Sequence, residues 1–246
     1  MPANWPVRDG QTAFHPDGTP LSGPEVLERI RRESDTVILN FSRGKDSIAA
    51  WLAAREVFDN IVAVYLDVVP GLRFVDASLA RYEAWFGQHI YRIPHPSFYR
   101  WIANGVFQPV SRFDLIEAAR IRIYDYDDVS QALIDDLDLP PQTFTISGVR
   151  AADSPNRRSA VSKHGAINWR RHTAWPIWDL TAADLRRMFD AVGMFLPVDY
   201  VWFGRTFDGL DHRFIAPLKE HAPDDYETVK FWFPGIEWEL FRYEIA

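Results

Sequence analysis

The sequence contains no cysteine, which excludes disulfide bonds, thiolate-held metals, iron–sulfur clusters and any cysteine nucleophile. A cysteine-free chain fits a reducing compartment, so a cytoplasmic location is expected. No run of 18 apolar residues occurs, although a membrane-spanning helix needs one. Met1 to Gly23 show no basic start leading into an apolar stretch, so neither a secreted nor a membrane protein is expected. None of the seven histidines stands in a His-Glu-x-x-His or related spacing, and a protein-built zinc centre is not expected. Repeats and low-complexity tracts are absent as well. Positive charge is in deficit, since 27 Lys and Arg face 34 Asp and Glu for a net −7. Bulk electrostatics will not draw nucleic acid to such a surface, so any anion must be met by a local cluster.

What is present is a chain of 246 residues rich in large rings, with 10 Trp, 9 Tyr and 17 Phe, which read mainly as core filling. The first 22 residues hold much Pro, Gly and Asp and read as an irregular arm. Ser22-Gly23-Pro24-Glu25 then opens a helix through a capping box with proline in the first turn. Thr36-Val37-Ile38-Leu39 and Ile61-Val62-Ala63-Val64-Tyr65-Leu66 are β-branched apolar runs of the length of buried strands. Helical spacing follows the first at Ile48, Trp51 and Leu52, and follows the second from Val75 to Phe86. A short strand is expected near His89–Ile93 and another at Phe144–Ser147, with a two-piece helical stretch over Ser111–Leu137. Thr181 and Asp184 cap a helix that Gly193 ends near Val192.

Strands alternating with helices imply a doubly wound, mostly parallel α/β sheet. The expected layout is the arm over 1–22, a nucleotide-binding α/β domain over 23–195 and an extension over 196–246. That extension, mixed helical and irregular, is aromatic-rich and packs on the domain. Its stretch Phe203–Asp211 reads either as a lid or as plain packing of the C-terminus.

Between the first strand and its helix stands Ser42-Arg43-Gly44-Lys45-Asp46-Ser47. In an open α/β sheet, ligands sit beyond the carboxyl ends of strands, where the next helix begins. Gly44 lets backbone approach a phosphate, and the helix start offers N–H groups and about half a positive charge. Lys45 adds a mobile charge, while Ser42 and Ser47 add hydroxyl donors. Asp46 would repel a bare phosphate, so it reads as a helix cap or as a group that meets phosphate through Mg²⁺. The Walker pattern Gly-x-x-x-x-Gly-Lys-Ser/Thr is absent.

Phe41 to Ser47 resembles the pyrophosphate-binding loop, Ser-Gly-Gly-x-Asp-Ser, of the ATP pyrophosphatase (PP-loop) superfamily. Gly148-Val149-Arg150-Ala151-Ala152-Asp153-Ser154-Pro155-Asn156-Arg157 is similar to the Gly-x-Arg-x-x-Glu/Asp-Ser-x-x-Arg motif of its phosphoadenosine phosphosulfate (PAPS) reductase-like branch. Trp175-Pro176-Ile177-Trp178-Asp179-Leu180-Thr181 resembles that branch's lead into a helix. The three stand in the family's order between about Thr36 and Tyr200.

The resemblance implies an adenine nucleotide alpha hydrolase-like fold. It further implies a loop that holds the β,γ-pyrophosphate, and either adenylation of an acceptor or binding of an adenylated sulfate. Two departures stand out. Arg43 replaces the first loop glycine and adds a fork that could clamp phosphate. The missing cysteine removes the catalytic thiol of true sulfonucleotide reductases, so that chemistry cannot run through this chain.

Arg150 to His172 hold five Arg and one Lys against Asp153 alone. Arg150 and Arg157 are the candidates for stabilising charge at the α-phosphate or on the second substrate, with Lys45 as the third catalytic group. Gly148 and Ser154 join Ser42–Ser47 as nucleotide-binding candidates. The remaining basic residues suit a polyanionic acceptor such as nucleic acid, or form a solvated loop. Asp67, at the end of the second strand, is either near the nucleotide or a strand terminator. The acidic run Asp125–Asp138 reads as a solvated helical face.

The expected activity is therefore cleavage of Mg·ATP at the α–β bond, adenylating an acceptor and releasing pyrophosphate, with neither a flavin nor an iron–sulfur cluster. A sulfonucleotide-binding or sulfur-transfer protein using external thiols, and a non-catalytic nucleotide-sensing subunit, are the competing expectations. The reading accommodates a homo-oligomer or a partner subunit.

Overall fold

The computed structural model describes residues 12–244. Residues 1–11 of the expected arm lie outside that range, and so do the last two of the expected extension. The described part of the arm contains an isolated bridge between Phe14 and Pro20. Six strands form one mostly parallel sheet flanked by helices, in the order β3-β2-β1-β4-β6-β5. They are β1 (Thr36–Asn40), β2 (Asn60–Asp67), β3 (Ile90–Pro94), β4 (Phe144–Ser147), β5 (Ile167–Asn168) and β6 (Thr173–Ala174). The chain divides into two compact units, each discontinuous in sequence.

The first unit takes in the chain up to Phe41, Lys45–Ala63 and Ser130–Phe195. β1 runs parallel to β4, with Asn40 opposite Ser147. β4 runs parallel to β6, and β5 closes the edge antiparallel to β6. Val37, Ile38 and Leu39 are wholly buried, as a strand covered on both faces requires. Helix α1 (Gly23–Arg31) has the expected capping box, with Glu25 accepting from the Ser22 amide at 2.8 Å. The Gly23 amide donates to Asp179 Oδ2 at 3.0 Å, and a Cβ there would lie 2.1 Å from the Pro176 carbonyl. Only glycine fits.

Helix α2 (Lys45–Ala54) buries Ile48, Ala49, Ala50, Trp51, Leu52 and Ala54, which makes it a core helix with no polar face. Helix α8 (Ala182–Val192) has Thr181 as its cap, the Asp184 box and left-handed Gly193 as its stop. Helix α7 (Pro155–His164) is not legible as a helix in the sequence. It buries only Val161, so it shows no apolar stripe, and its cap Ser154 and Pro155 are the sole local signals.

The second unit takes in Ser42–Gly44, Val64–Val129 and the chain from Leu196 on. It holds α3 (Arg73–Phe86), α4 (Pro96–Ala103) and α5 (Phe113–Ala119). Further along come α9 (Asp199–Trp202), α10 (His212–His221), α11 (Pro223–Trp232) and α12 (Glu237–Glu244). Helix α6 (Tyr126–Asp136) starts in this unit and ends in the first. The start of α3 has no cap of its own. Buried Asp225 of α11 supplies one, accepting from the Arg73 and Phe74 amides at 2.7 and 3.1 Å. Phe74, Phe203, Phe207 and Phe214 pack edge-on and tilted at 5.4–6.2 Å. That is the core filling expected of the tail's aromatics.

Candidate functional site

The 42–47 loop leaves β1 at its carboxyl end and enters α2 at Lys45. Because β4 lies beside β1 in parallel, Gly148–Arg150 leaves the sheet at the same edge. The two stretches touch. A Cβ on Gly148 would stand 2.5 Å from the Asp46 carbonyl carbon and 2.6 Å from the Ser47 nitrogen. Glycine is required there by the close approach of backbone to the start of α2.

Arg150 extends this junction. Its Nε donates to Asp46 Oδ1 at 2.7 Å and its Nη2 to Asp153 Oδ1 at 2.8 Å. A longer bond of 3.4 Å runs from Nη1 to the Leu180 carbonyl. Lys45 Nζ donates to the other oxygen of Asp46 at 3.1 Å, and Arg157 Nη1 to the other oxygen of Asp153 at 2.8 Å. Lys45, Asp46, Arg150, Asp153 and Arg157 thus form one chain of alternating charge with a single positive excess. The Trp175–Thr181 motif joins it, for the Ala151 amide donates to the Trp178 carbonyl at 2.8 Å. Lys45–Ser47 and the two later motifs, far apart in the sequence, therefore meet within the first unit.

Arg150 is only 6% exposed and engaged by two carboxylates. It holds Asp46 and Asp153. Asp153, a lone acid in a basic stretch of sequence, is the residue that ties Arg150 to Arg157. Arg157 and Lys45 keep exposed side chains, 46% and 40%, and Ser42 is exposed. Ser47 is buried at the first turn of α2. Ser154 caps α7, its hydroxyl accepting from the Arg157 amide at 3.2 Å.

Arg43 departs further from expectation. Its φ is +62°, a left-handed conformation that costs a non-glycine residue of order 1–3 kcal/mol. The side chain is fully buried and forms a bidentate pair with fully buried Asp199, at 2.9 and 2.7 Å. Tyr65 and Phe74 lie against the guanidinium, ring centroids 5.2 and 5.7 Å away. Burial opposes the charge, but Tyr65 and Asp199 outweigh it and hold the guanidinium above its usual range. The fork expected to clamp phosphate is committed to Asp199 instead. No local signal pairs these two residues, which stand 156 positions apart. Beside Gly44 lie the Tyr200 hydroxyl and the Thr206 methyl, 3.6 and 3.5 Å from where a Cβ would be.

Asp67 closes β2, and its carbonyl accepts from the His95 amide at 2.7 Å. Burial first, then the charge of Asp76, push its carboxyl up to about 6, with Arg92 and Arg43 opposing the shift. His95 caps α4 through Nδ1, which accepts from the Ser97 amide at 2.9 Å. Its Nε2 therefore carries the proton toward the Tyr126 hydroxyl at 2.9 Å. Burial, with Arg100 nearby, pulls the His95 imidazole below its usual value.

Among the described residues, no group of three or more His, Asp and Glu is arranged to hold a metal. Asp46 still fits a Mg²⁺ that arrives with a nucleotide. Its two oxygens accept from Lys45 and Arg150, and a carboxylate offers about four lone-pair sites. Mg²⁺ bound through one carboxylate plus substrate phosphates needs no protein-built cage. No helix among the described residues is long and apolar enough to cross a membrane.

No family model and no curated protein matches the sequence. Among solved structures, the fold is similar to that of an NH3-dependent NAD synthetase from Campylobacter jejuni in complex with the nitrate ion. The two are 13% identical, with a TM-score of 0.42, over 89% of this chain and 93% of that one. It is also similar to the U34-tRNA thiolase NcsA from Methanococcus maripaludis with its 4Fe–4S cluster. Identity there is 11% and the TM-score 0.45, over 92% of this chain and 88% of that one.

Proposed function

We propose that this chain is a PP-loop ATP pyrophosphatase of the PAPS reductase-like kind, which adenylates an acceptor. One observation carries the reading. Gly148 and Arg150, from the end of β4, abut and grip Asp46 in the loop that follows β1. Two motifs about a hundred residues apart, each an ordinary turn alone, thereby form one anion-facing edge.

The 42–47 loop receives the β,γ-phosphates at the start of α2, where backbone N–H groups and the helix dipole favour negative charge. Lys45 supplies a mobile cation to them. Asp46, oriented by Arg150, would hold a Mg²⁺ accompanying the nucleotide, and that ion would neutralise phosphate charge. An acceptor oxygen or nitrogen attacks the α-phosphorus. The acceptor–phosphorus bond forms as the bond to the bridging α–β oxygen breaks, and pyrophosphate leaves with that electron pair. Arg157, exposed at the start of α7, is the cation available to the adenylated side. Arg150 acts through Asp46 and Asp153, as a positioning residue.

The acceptor is proposed to be anionic. Arg158, Lys163 and Arg170 are exposed on α7 and the loop between β5 and β6, within a stretch whose one carboxylate, Asp153, is already engaged. The test is to incubate the protein with labelled ATP, Mg²⁺ and candidate acceptors. Transfer of AMP with release of pyrophosphate is expected. Formation of ADP and phosphate, with neither AMP nor pyrophosphate, would overturn the reading.

A further inference from the structure

Arg43 is a cation with no access to water, placed in a loop read as anion-binding, in a backbone conformation that side chains rarely adopt. Both oddities have one cause. The guanidinium nitrogens reach the two oxygens of Asp199 at 2.9 and 2.7 Å. Asp199 Oδ2 also accepts from the Phe207 amide at 2.9 Å, so the carboxylate is itself held from the far side. Gly44, the next residue, lies against Tyr200 and Thr206 from the same stretch of chain.

We infer that Asp199 is a positioning residue for the phosphate loop, locking Arg43 in the left-handed region and thereby aiming Gly44 and Lys45. The inference rests on reading 42–47 as the nucleotide loop. The lock is anchored in the loop itself, which separates it from ordinary core packing. Without the carboxylate, a buried guanidinium must find water or another partner. Arg43 then leaves its left-handed well, and every N–H after it turns. Glycine needs no such partner, because it occupies that region without strain. The pair Arg43 and Asp199 thus does by tertiary structure what a glycine would do by itself, and it makes the loop depend on the segment after Leu196.

The test compares the wild type with D199N, R43G and the double variant R43G/D199N. It reads Mg·ATP affinity by calorimetry and amide hydrogen exchange over residues 42–47. D199N is expected to weaken ATP binding about 10- to 100-fold, the scale of a misplaced binding group, and to speed exchange in the loop. R43G leaves Asp199 buried without its partner and is expected to weaken binding as well. The double variant removes both charges and restores the permissive residue, so slow loop exchange returns and affinity recovers to within a few-fold of wild type.

Unchanged exchange and affinity in D199N would overturn the inference, and so would a double variant no better than D199N. Should D199N fail to fold, the double variant alone decides, since a lock predicts that it folds and binds. Should the wild type bind no ATP, the functional reading fails, and the exchange comparison still judges the lock.

Discussion

Arg150 Nε donates to Asp46 Oδ1 at 2.7 Å, joining the end of β4 to the first turn of α2 across 104 positions of sequence. An aspartate at a helix start is favourable for the helix dipole and unfavourable for an incoming phosphate. Arg150 and Lys45 share that carboxylate between them, so its charge is offset before any ligand arrives. The same ion pair fixes the orientation of the Asp46 carboxylate.

Arg150→Ala removes a buried guanidinium and leaves Asp46 and Asp153 without their shared partner. Breaking a buried pair costs about 3–5 kcal/mol. Both acids are about one quarter exposed, which reduces the expected loss to about 2–3 kcal/mol. Urea unfolding measures it. Arg150→Lys should recover only part, because one ammonium cannot fork between two carboxylates. An alanine variant with the wild-type midpoint would refute the role given to this residue.

Gly148→Ala should destabilise the fold by about 1–3 kcal/mol, the usual cost of forcing a methyl into packed backbone. The added methyl would meet the backbone of Asp46 at 2.5 Å, and that backbone cannot swing aside. Gly44→Ala is the control. Its nearest neighbours are side-chain atoms at 3.3–3.6 Å, so a loss under about 1 kcal/mol is expected. Equal melting temperatures for the two variants would contradict this difference.

Asp67→Asn should show a benefit that depends on pH. The carboxyl is raised in the folded chain from 3.8 to about 6, so folding takes up a proton between those values. The penalty for burying the charged form is absent below pH ~4, grows as pH rises through about 6, and is complete above it. A shift of this size corresponds to about 3 kcal/mol, discounted to about 1–2 kcal/mol because the group is partly exposed. Denaturant melts near pH 8 should favour the asparagine variant, and melts near pH 4 should show the two proteins alike. A benefit equal at both pH values would point to a different cause.

Replacing Arg158, Lys163 and Arg170 together by alanine should leave stability unchanged, since all three are exposed. If the acceptor is a nucleic acid, the slope of log affinity against log salt should become shallower. The change is about 0.9 for each phosphate that the variant no longer neutralises on duplex DNA, or about 0.7 on single strands. An oligonucleotide titration at several salt concentrations measures this. A slope identical to wild type would remove α7 and the β5–β6 loop from the acceptor site.

Much of the fold is legible in the sequence because its signals are local. The buried strands β1 and β2 announce themselves as β-branched runs, and α1 and α8 carry capping boxes written within four residues. Helix α7 does not, because it packs a single side chain and presents Arg, Lys and Ser elsewhere. Helix α4 and the helices after Leu196 stay hidden for a related reason. Their apolar faces are built from rings that pair across long sequence separations, such as Phe98 with Trp232 and Phe74 with Phe207, and periodicity cannot show such pairing.

The sequence by itself determined the loop, its place after a buried strand, and the absence of any thiol chemistry, since residue types and short spacings decide those matters. Tertiary structure alone decided which charges remain available to a ligand. Parallel pairing of β1 with β4 commits Arg150 to Asp46 and Asp153. Burial commits Arg43 to Asp199, because a guanidinium removed from water must take the nearest carboxylate the fold provides.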